Sequence, residues 1–202
     1  MSAHDFATLD SHTEYVGAIC ALRVDEVAMP GGRTARREIV EHFGAVAIVA
    51  LDEHDNVVLV YQYRHAVGRR LWELPAGLLD MGDEPPPVTA ARELAEETGL
   101  AAEHWLTLVD VDTAPGCSDE SVRVFLATGL REVGRPEAHD EEADLQVHRV
   151  PLSRAVQMVF DGEIVNALAV AGILAAAHRP AQLRGVQAPW IDRSTRLRAR
   201  RS

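Results

Sequence analysis

From Arg92 to Leu100 the chain reads RELAEETGL. Glu93, Glu96 and Glu97 place three like charges within five positions. On a helix each such neighbouring pair costs roughly a few tenths of a kcal/mol. Successive helix residues turn by about 100°, so the three carboxylates share an arc of about 100°. Val88, Ala91, Leu94 and Ala95 fall on the opposite side, which predicts an apolar back and an acidic front facing outward. Arg92, four positions before Glu96, can relieve part of the repulsion. A solvated acidic face with one salt bridge is the plain alternative. Three converging carboxylates otherwise suit a hard divalent cation such as Mg²⁺, which takes oxygen donors and keeps waters for a phosphate substrate. No nitrogen or sulfur donor accompanies them, so zinc is not suited. The preceding stretch WELPAGLLDMGDE supplies a loop whose backbone can approach whatever the acids hold.

The elements that must position these residues are legible in outline. In EPPPVTAARELAEETGL, Pro87 fits the first helical turn and Gly99 the stop. Residues 16–24 and 34–42 read as strands joined by the turn MPGGR. The apolar run FGAVAIVAL (43–51) reads as a central strand, and VVLVYQYR (57–64) as its hairpin partner after the turn DEHDN. RRLWELPAG is a short strand entering a loop. HWLTLVDVDT and SVRVFLATGL are strands around the loop APGCSDE, and LQVHRV is another. PLSRAVQMVFDG and NALAVAGILAAAHR are helices. This order predicts an α+β fold, a mixed sheet covered by helices.

Composition narrows the chemistry. The 202 residues are 47% hydrophobic, enough for one main domain with a sizeable core. All twenty basic residues are arginine, which removes the P-loop, Schiff-base and protein-kinase mechanisms that need a lysine. HExxH, GxSxG and GxGxxG are absent. No apolar run is long enough to span a bilayer, and the first residues carry no secretory pattern. Cys20 and Cys117 stand far apart, as in a reducing cytoplasm. Net charge is −11, yet the last 24 residues hold seven arginines against one acid. The acidic body argues against nucleic acid as a partner. The basic end is expected to be solvated or partly disordered, folded against that body, rather than a nucleic-acid arm.

The acidic stretch resembles the Nudix box, G-x5-E-x7-R-E-U-x-E-E-x-G-U with U aliphatic. Gly77, Glu84, Arg92, Glu93, Leu94, Glu96, Glu97, Gly99 and Leu100 match it. Six residues separate Gly77 from Glu84, one more than the pattern has. RREI (36–39), YQYR (61–64), WELPAG (72–77) and APGCSDE (114–120), with Pro115 past the box, resemble the ADP-ribose pyrophosphatase branch. The resemblance implies a Nudix-type α/β/α sandwich with a mixed sheet and a small N-terminal antiparallel sheet. It also implies a homodimer whose N-terminal strands cross to the partner. Residues 1–42 would then serve dimerisation, 43–178 form the hydrolase domain and 179–202 the basic tail.

The same resemblance implies hydrolysis of ADP-ribose to AMP and ribose 5-phosphate, with water as nucleophile and Mg²⁺ as cofactor, replaceable by Mn²⁺. By resemblance Glu93 and Glu97 are metal ligands with the carbonyl of Ala76, and Glu96 is a further ligand, directly or through water. Arg92 and Glu84 orient the cluster. Arg64 holds phosphate. Arg37 and Glu38 reach adenine or its neighbourhood from the partner subunit, and Pro115 and Gly116 lie near the substrate. The general base comes from the acidic segment EAHDEEAD, with Glu142 first and Glu141 second. Other nucleoside diphosphate sugars or dinucleotides are alternative substrates. A non-catalytic nucleotide-sensing Nudix domain and a purely structural acidic protein are the competing classes.

Overall fold

A computed structural model of the chain describes residues 4–136 and 144–201. Its organising strand is β4 (Ala45–Ala50), in which every residue is buried. Side chains alternate across a strand, so AVAIVA serves two cores at once. Val46, Ile48 and Ala50 pack with Ala90 and Leu94 of helix α1 (Pro86–Thr98). Ala45, Ala47 and Val49 pack with Ala169, Ile173 and Ala176 of helix α3 (Ala167–Ala177). A run apolar on both faces is what a sheet covered on both sides requires. This is the expected α/β/α layering.

Two compact units divide the chain. One comprises residues 1–44, 112–121 and 192–202; the other comprises 45–111 and 122–191.

The first unit is built on an antiparallel sheet in the order β1 (Thr8–Val16), β2 (Cys20–Met29) and β3 (Arg33–His42). The small N-terminal sheet was expected, but with two strands. The strand expected at 16–24 is instead β2, starting at Cys20, and β1 precedes it. β1 is exposed almost throughout, and TLDSHTEYV has no apolar alternation to betray a strand. The chain end folds back on this sheet. Helix α4 (Arg196–Arg201) buries Leu197 against Ala21 and Phe43. Arg200 pairs with Glu41, which is fully buried and also 3.2 Å from Arg23. Ser194 accepts the Ser121 N–H at 3.0 Å and donates to the Asp119 carbonyl at 2.5 Å.

The second unit holds a five-stranded sheet in the order β11 (Arg184–Gly185), β8 (Leu100–Asp112), β9 (Ser121–Glu132), β4 and β7 (Ala76–Leu78). β4 runs parallel to β9 and antiparallel to β7, so the sheet is mixed. An antiparallel sheet orders β10 (Gln146–Pro151), β5 (Asn56–Arg64) and β6 (Arg69–Glu73). The hairpin expected from β4 and β5 does not form. The turn is there, with Asp52 accepting the N–H groups of His54 and Asn56 at 2.9 Å. The strands then part after one bridge, Leu51 to Val57, because β7 and β9 occupy both edges of β4. Helix α2 (Leu152–Phe160) packs with α3 over the same core. Among the described residues no helix is long and apolar enough to cross a membrane.

Gly172 marks how tightly α3 sits on the sheet. A Cβ there would stand 2.7 Å from a Leu74 methyl, 3.1 Å from Val49 and 3.2 Å from Val124. Gly172→Val is therefore expected to destabilise the protein by about 1–3 kcal/mol through overpacking, read as a lower urea midpoint at unchanged slope.

Candidate active site

Helix α1 begins one residue before the expected start. Pro85 caps it in an extended conformation, and Pro86 and Pro87 occupy the first turn, where a missing N–H costs nothing. Gly99 ends it at φ 71°, and a Cβ there would lie 2.9 Å from the Arg135 backbone nitrogen. Arg135 in turn donates to the Glu96 carbonyl at 3.2 Å, in the last turn.

The buried face of α1 is not the expected one. Val88 and Ala91 are exposed, whereas Thr89, Ala90, Leu94 and Glu97 are buried. The helix is rolled so that Glu93 and Glu97 lean into the seam with β7, while Glu96 stays partly exposed. The reason lies in residue size. Ala90 and Leu94 fit under β4, and Glu97 follows them one turn later on the same side. Its carboxylate does not go unsatisfied, because Oε2 accepts the Ala76 N–H at 3.1 Å.

Glu93 leans over the same strand. A Cβ on Gly77 would lie 2.1 Å from the Glu93 carboxyl carbon, so only glycine leaves room for that side chain. Gly77 pairs with Val46 and Ala76 with Ala47, which fixes both positions on the central strand.

Arg92 gathers the remaining acids. Its Nη1 lies 2.7 Å from Glu93 and 2.9 Å from Glu96, and its Nη2 lies 3.1 Å from Glu84. Sequence spacing had suggested only the Glu96 contact. Hydrogen bonding to Glu84 is the main cause that raises the Arg92 pKa above its ordinary value. The reciprocal bond from Arg92, followed by that from Thr89, lowers the pKa of Glu84. The extra residue between Gly77 and Glu84 is absorbed in two tight turns. Gly82 N–H donates to the Asp80 carbonyl at 3.0 Å and Glu84 N–H to the Met81 carbonyl at 2.9 Å. Glu84 therefore still reaches Arg92.

The donors on this face are all oxygens: the carboxylates of Glu93, Glu96 and Glu97 and the backbone of Ala76. That chemistry fits a hard divalent cation. Among the described residues no three acidic, histidine or cysteine side chains stand close enough to enclose a cation as they are. Arg92 and the Ala76 N–H hold the acidic arms instead.

The other expected residues are placed as follows. Arg64 closes on the buried Glu73, with Nη2 at 2.7 Å and Nε at 3.0 Å, and Gln62 adds a third donor to that carboxylate. Arg37 and Glu38 are exposed on β3 in the first unit; Arg37 donates to the Arg36 carbonyl at 2.9 Å. Pro115 and Gly116 lie exposed in the turn closed by Cys117 N–H on the Ala114 carbonyl. That loop is stitched to β3 through Val40 and Cys117 at 2.8 Å. Glu141 and Glu142 lie outside the described residues. Just after them, Asp144 pairs with Arg70 of β6.

The NUDIX domain family model matches residues 41–168, more than half of the chain. The chain belongs to the Nudix family. It is 61% identical to the ADP-ribose pyrophosphatase of Mycobacterium tuberculosis, across all of this chain and 99% of that protein. It is also 35% identical to the methanol dehydrogenase activator of Bacillus methanolicus, covering 82% of this chain and 89% of that one. The crystal structure of an ADP compounds hydrolase superimposes with a TM-score of 0.75 at 19% identity, covering 88% of this chain and 95% of that one. This last likeness establishes the shared fold. The expected membership, as a Nudix hydrolase, holds.

The lowered pKa of Glu84 has a testable consequence. Its ion pair with Arg92 stabilises the fold above the ordinary carboxylate value of 4.5 and is lost as pH falls through the lower folded value. Wild type is thus expected to be more stable than Glu84→Gln near neutral pH. The gap closes in acid, as followed by urea unfolding across a pH series.

Proposed function

We propose that the chain hydrolyses the pyrophosphate of ADP-ribose, giving AMP and ribose 5-phosphate, with Mg²⁺ bound at the α1–β7 seam and Mn²⁺ able to replace it. The observation that carries this reading is the grip of Arg92 on Glu84, Glu93 and Glu96 while Glu97 is held by the Ala76 N–H. Such an arrangement gathers several carboxylates at one seam, where a divalent cation would draw its ligands in exchange for these hydrogen bonds. The substrate assignment is supported by the 61% identical relative that bears the name ADP-ribose pyrophosphatase.

In this reading Glu93 and Glu97 are metal ligands, with the Ala76 carbonyl and with Glu96 directly or through water. Arg92 and Glu84 orient them. When bound, the cation supplies neutralising charge to the pyrophosphate oxygens and lowers the pKa of water. Arg64, steadied by Glu73, offers its guanidinium to a phosphate, a match of planar fork to oxyanion. Arg37 and Glu38 serve the adenine neighbourhood from the partner subunit, and Pro115 and Gly116 border the substrate. Glu142, or failing it Glu141, takes the proton from the attacking water. Water adds to one phosphorus as the bridging P–O bond breaks, so no covalent enzyme intermediate forms.

A homodimer is the proposed assembly. β1 is an outer strand that exposes Leu9, Tyr15 and Val16, and Phe6 precedes it. Apolar side chains on an edge strand are the kind of surface a second copy would cover. A reducing cytoplasm is the proposed location, supported by the unpaired Cys20 and Cys117.

The test is AMP release from ADP-ribose with Mg²⁺, beside a panel of other nucleoside diphosphate sugars and dinucleotides. Wild type is expected to release AMP. Glu97→Gln and Glu142→Gln are each expected to lose at least ~100-fold, as for an essential ligand and base. Normal turnover by Glu97→Gln would refute the metal assignment. Normal turnover by Glu142→Gln alone would move the base to Glu141 or elsewhere.

A further inference from the structure

Thr89 lies in the first half of α1 and is 1% exposed. A buried threonine in a helix ordinarily spends its hydroxyl on the carbonyl four residues back. Here that carbonyl, of Pro85, is 3.5 Å away, at the limit of a bond, whereas Glu84 Oε2 is 2.8 Å away. The hydroxyl is therefore committed to a carboxylate that also receives Arg92.

The geometry is that of a linked chain. Glu84 Oε2 accepts Thr89 Oγ1 and Arg92 Nη2 at 3.1 Å, and Oε1 accepts Arg92 Nε at 3.3 Å. Arg92 grips both Glu84 oxygens as a fork, and Thr89 adds a third, shorter bond from another direction that braces the carboxylate in that grip. The guanidinium is planar and rigid, so fixing one edge of it fixes the other. That other edge is Nη1, which holds Glu93 at 2.7 Å and Glu96 at 2.9 Å.

We propose that Thr89 is a positioning residue for the cation site: its hydroxyl braces Glu84 in its grip on Arg92, and through Arg92 the placement of Glu93 and Glu96. This rests on the reading of those glutamates as holders of a divalent cation. A threonine present only to fill space would contribute its methyl group and shape, which valine reproduces. The inference therefore separates the hydroxyl from the volume.

The experiment is Mn²⁺ titration calorimetry on the full chain without nucleotide, for wild type, Thr89→Val, Thr89→Ser, Glu84→Gln and the Glu84→Gln/Thr89→Val double variant. Mn²⁺ affinity is expected to fall about 10-fold in Thr89→Val and to stay within about twofold in Thr89→Ser. In the Glu84→Gln background the valine is expected to add nothing, since the two residues act in series. Thr89→Ala carries the same expectation as the valine should the latter fail to fold. Unchanged Mn²⁺ binding in Thr89→Val, equal weakening in Thr89→Ser, or full additivity with Glu84→Gln would each overturn the proposal. Wild type that binds no Mn²⁺ would overturn both this inference and the cation site. Wild type that binds Mn²⁺ but releases no AMP from ADP-ribose would overturn only the substrate reading.

Discussion

Like charges held close together are the constraint on this fold's chemistry, and a single guanidinium meets it. Glu84, Glu93 and Glu96 all reach Arg92, from a loop and from two positions on one helix. Each pair is partly exposed, so none contributes much to stability alone. Their value is geometric. The flat, five-donor fork of arginine can hold several carboxylates in fixed directions, which a lysine ammonium cannot. Everything else in the second unit supports that arrangement: prolines that start the helix, a glycine that ends it, and a strand that lies under it.

The strand under it is β7, and its position follows from β4. Pairing of Val46 with Gly77 and of Ala47 with Ala76 ties the seam to a strand buried on both faces. Gly77 is then required for a reason unrelated to turns. It is the absence of a side chain, rather than any unusual φ, that admits Glu93. Core packing and site geometry are thus set by the same register. A one-residue slip of β7 would exchange the residues facing each layer and close the gap.

How much of this was legible depends on how local the signal was. The motif residues Glu84, Arg92, Glu93, Glu96 and Glu97 were readable, because spacing along one helix and one loop defines them. The helix ends were readable to within a residue from Pro86, Pro87 and Gly99. The face of the helix was not. A hydrophobicity count favours Val88 and Ala91, yet the sheet selects small Ala90 and tolerates a buried Glu97 that finds a backbone N–H. The β4–β5 hairpin failed for a related reason: a short turn predicts proximity, but competition for strand edges decides pairing. β1 carried no apolar rhythm at all. Thr89 could not be picked out, since one threonine after three prolines looks like an ordinary first-turn residue.

The pairing of buried Glu41 with Arg200 at the surface has a consequence for synthesis. The two residues are 159 positions apart, and the unit they belong to is assembled from the first, middle and last parts of the chain. The N-terminal sheet leaves the ribosome well before Leu197 and Arg200 do. Until then Glu41 has Arg23 but not its second cation, and Ala21 and Phe43 lack their cover. The continuous stretches of the second unit can collapse while translation continues. The first unit completes only once Arg200 has emerged, so a chain cut before it would display an unfinished sheet and a carboxylate whose burial is half compensated.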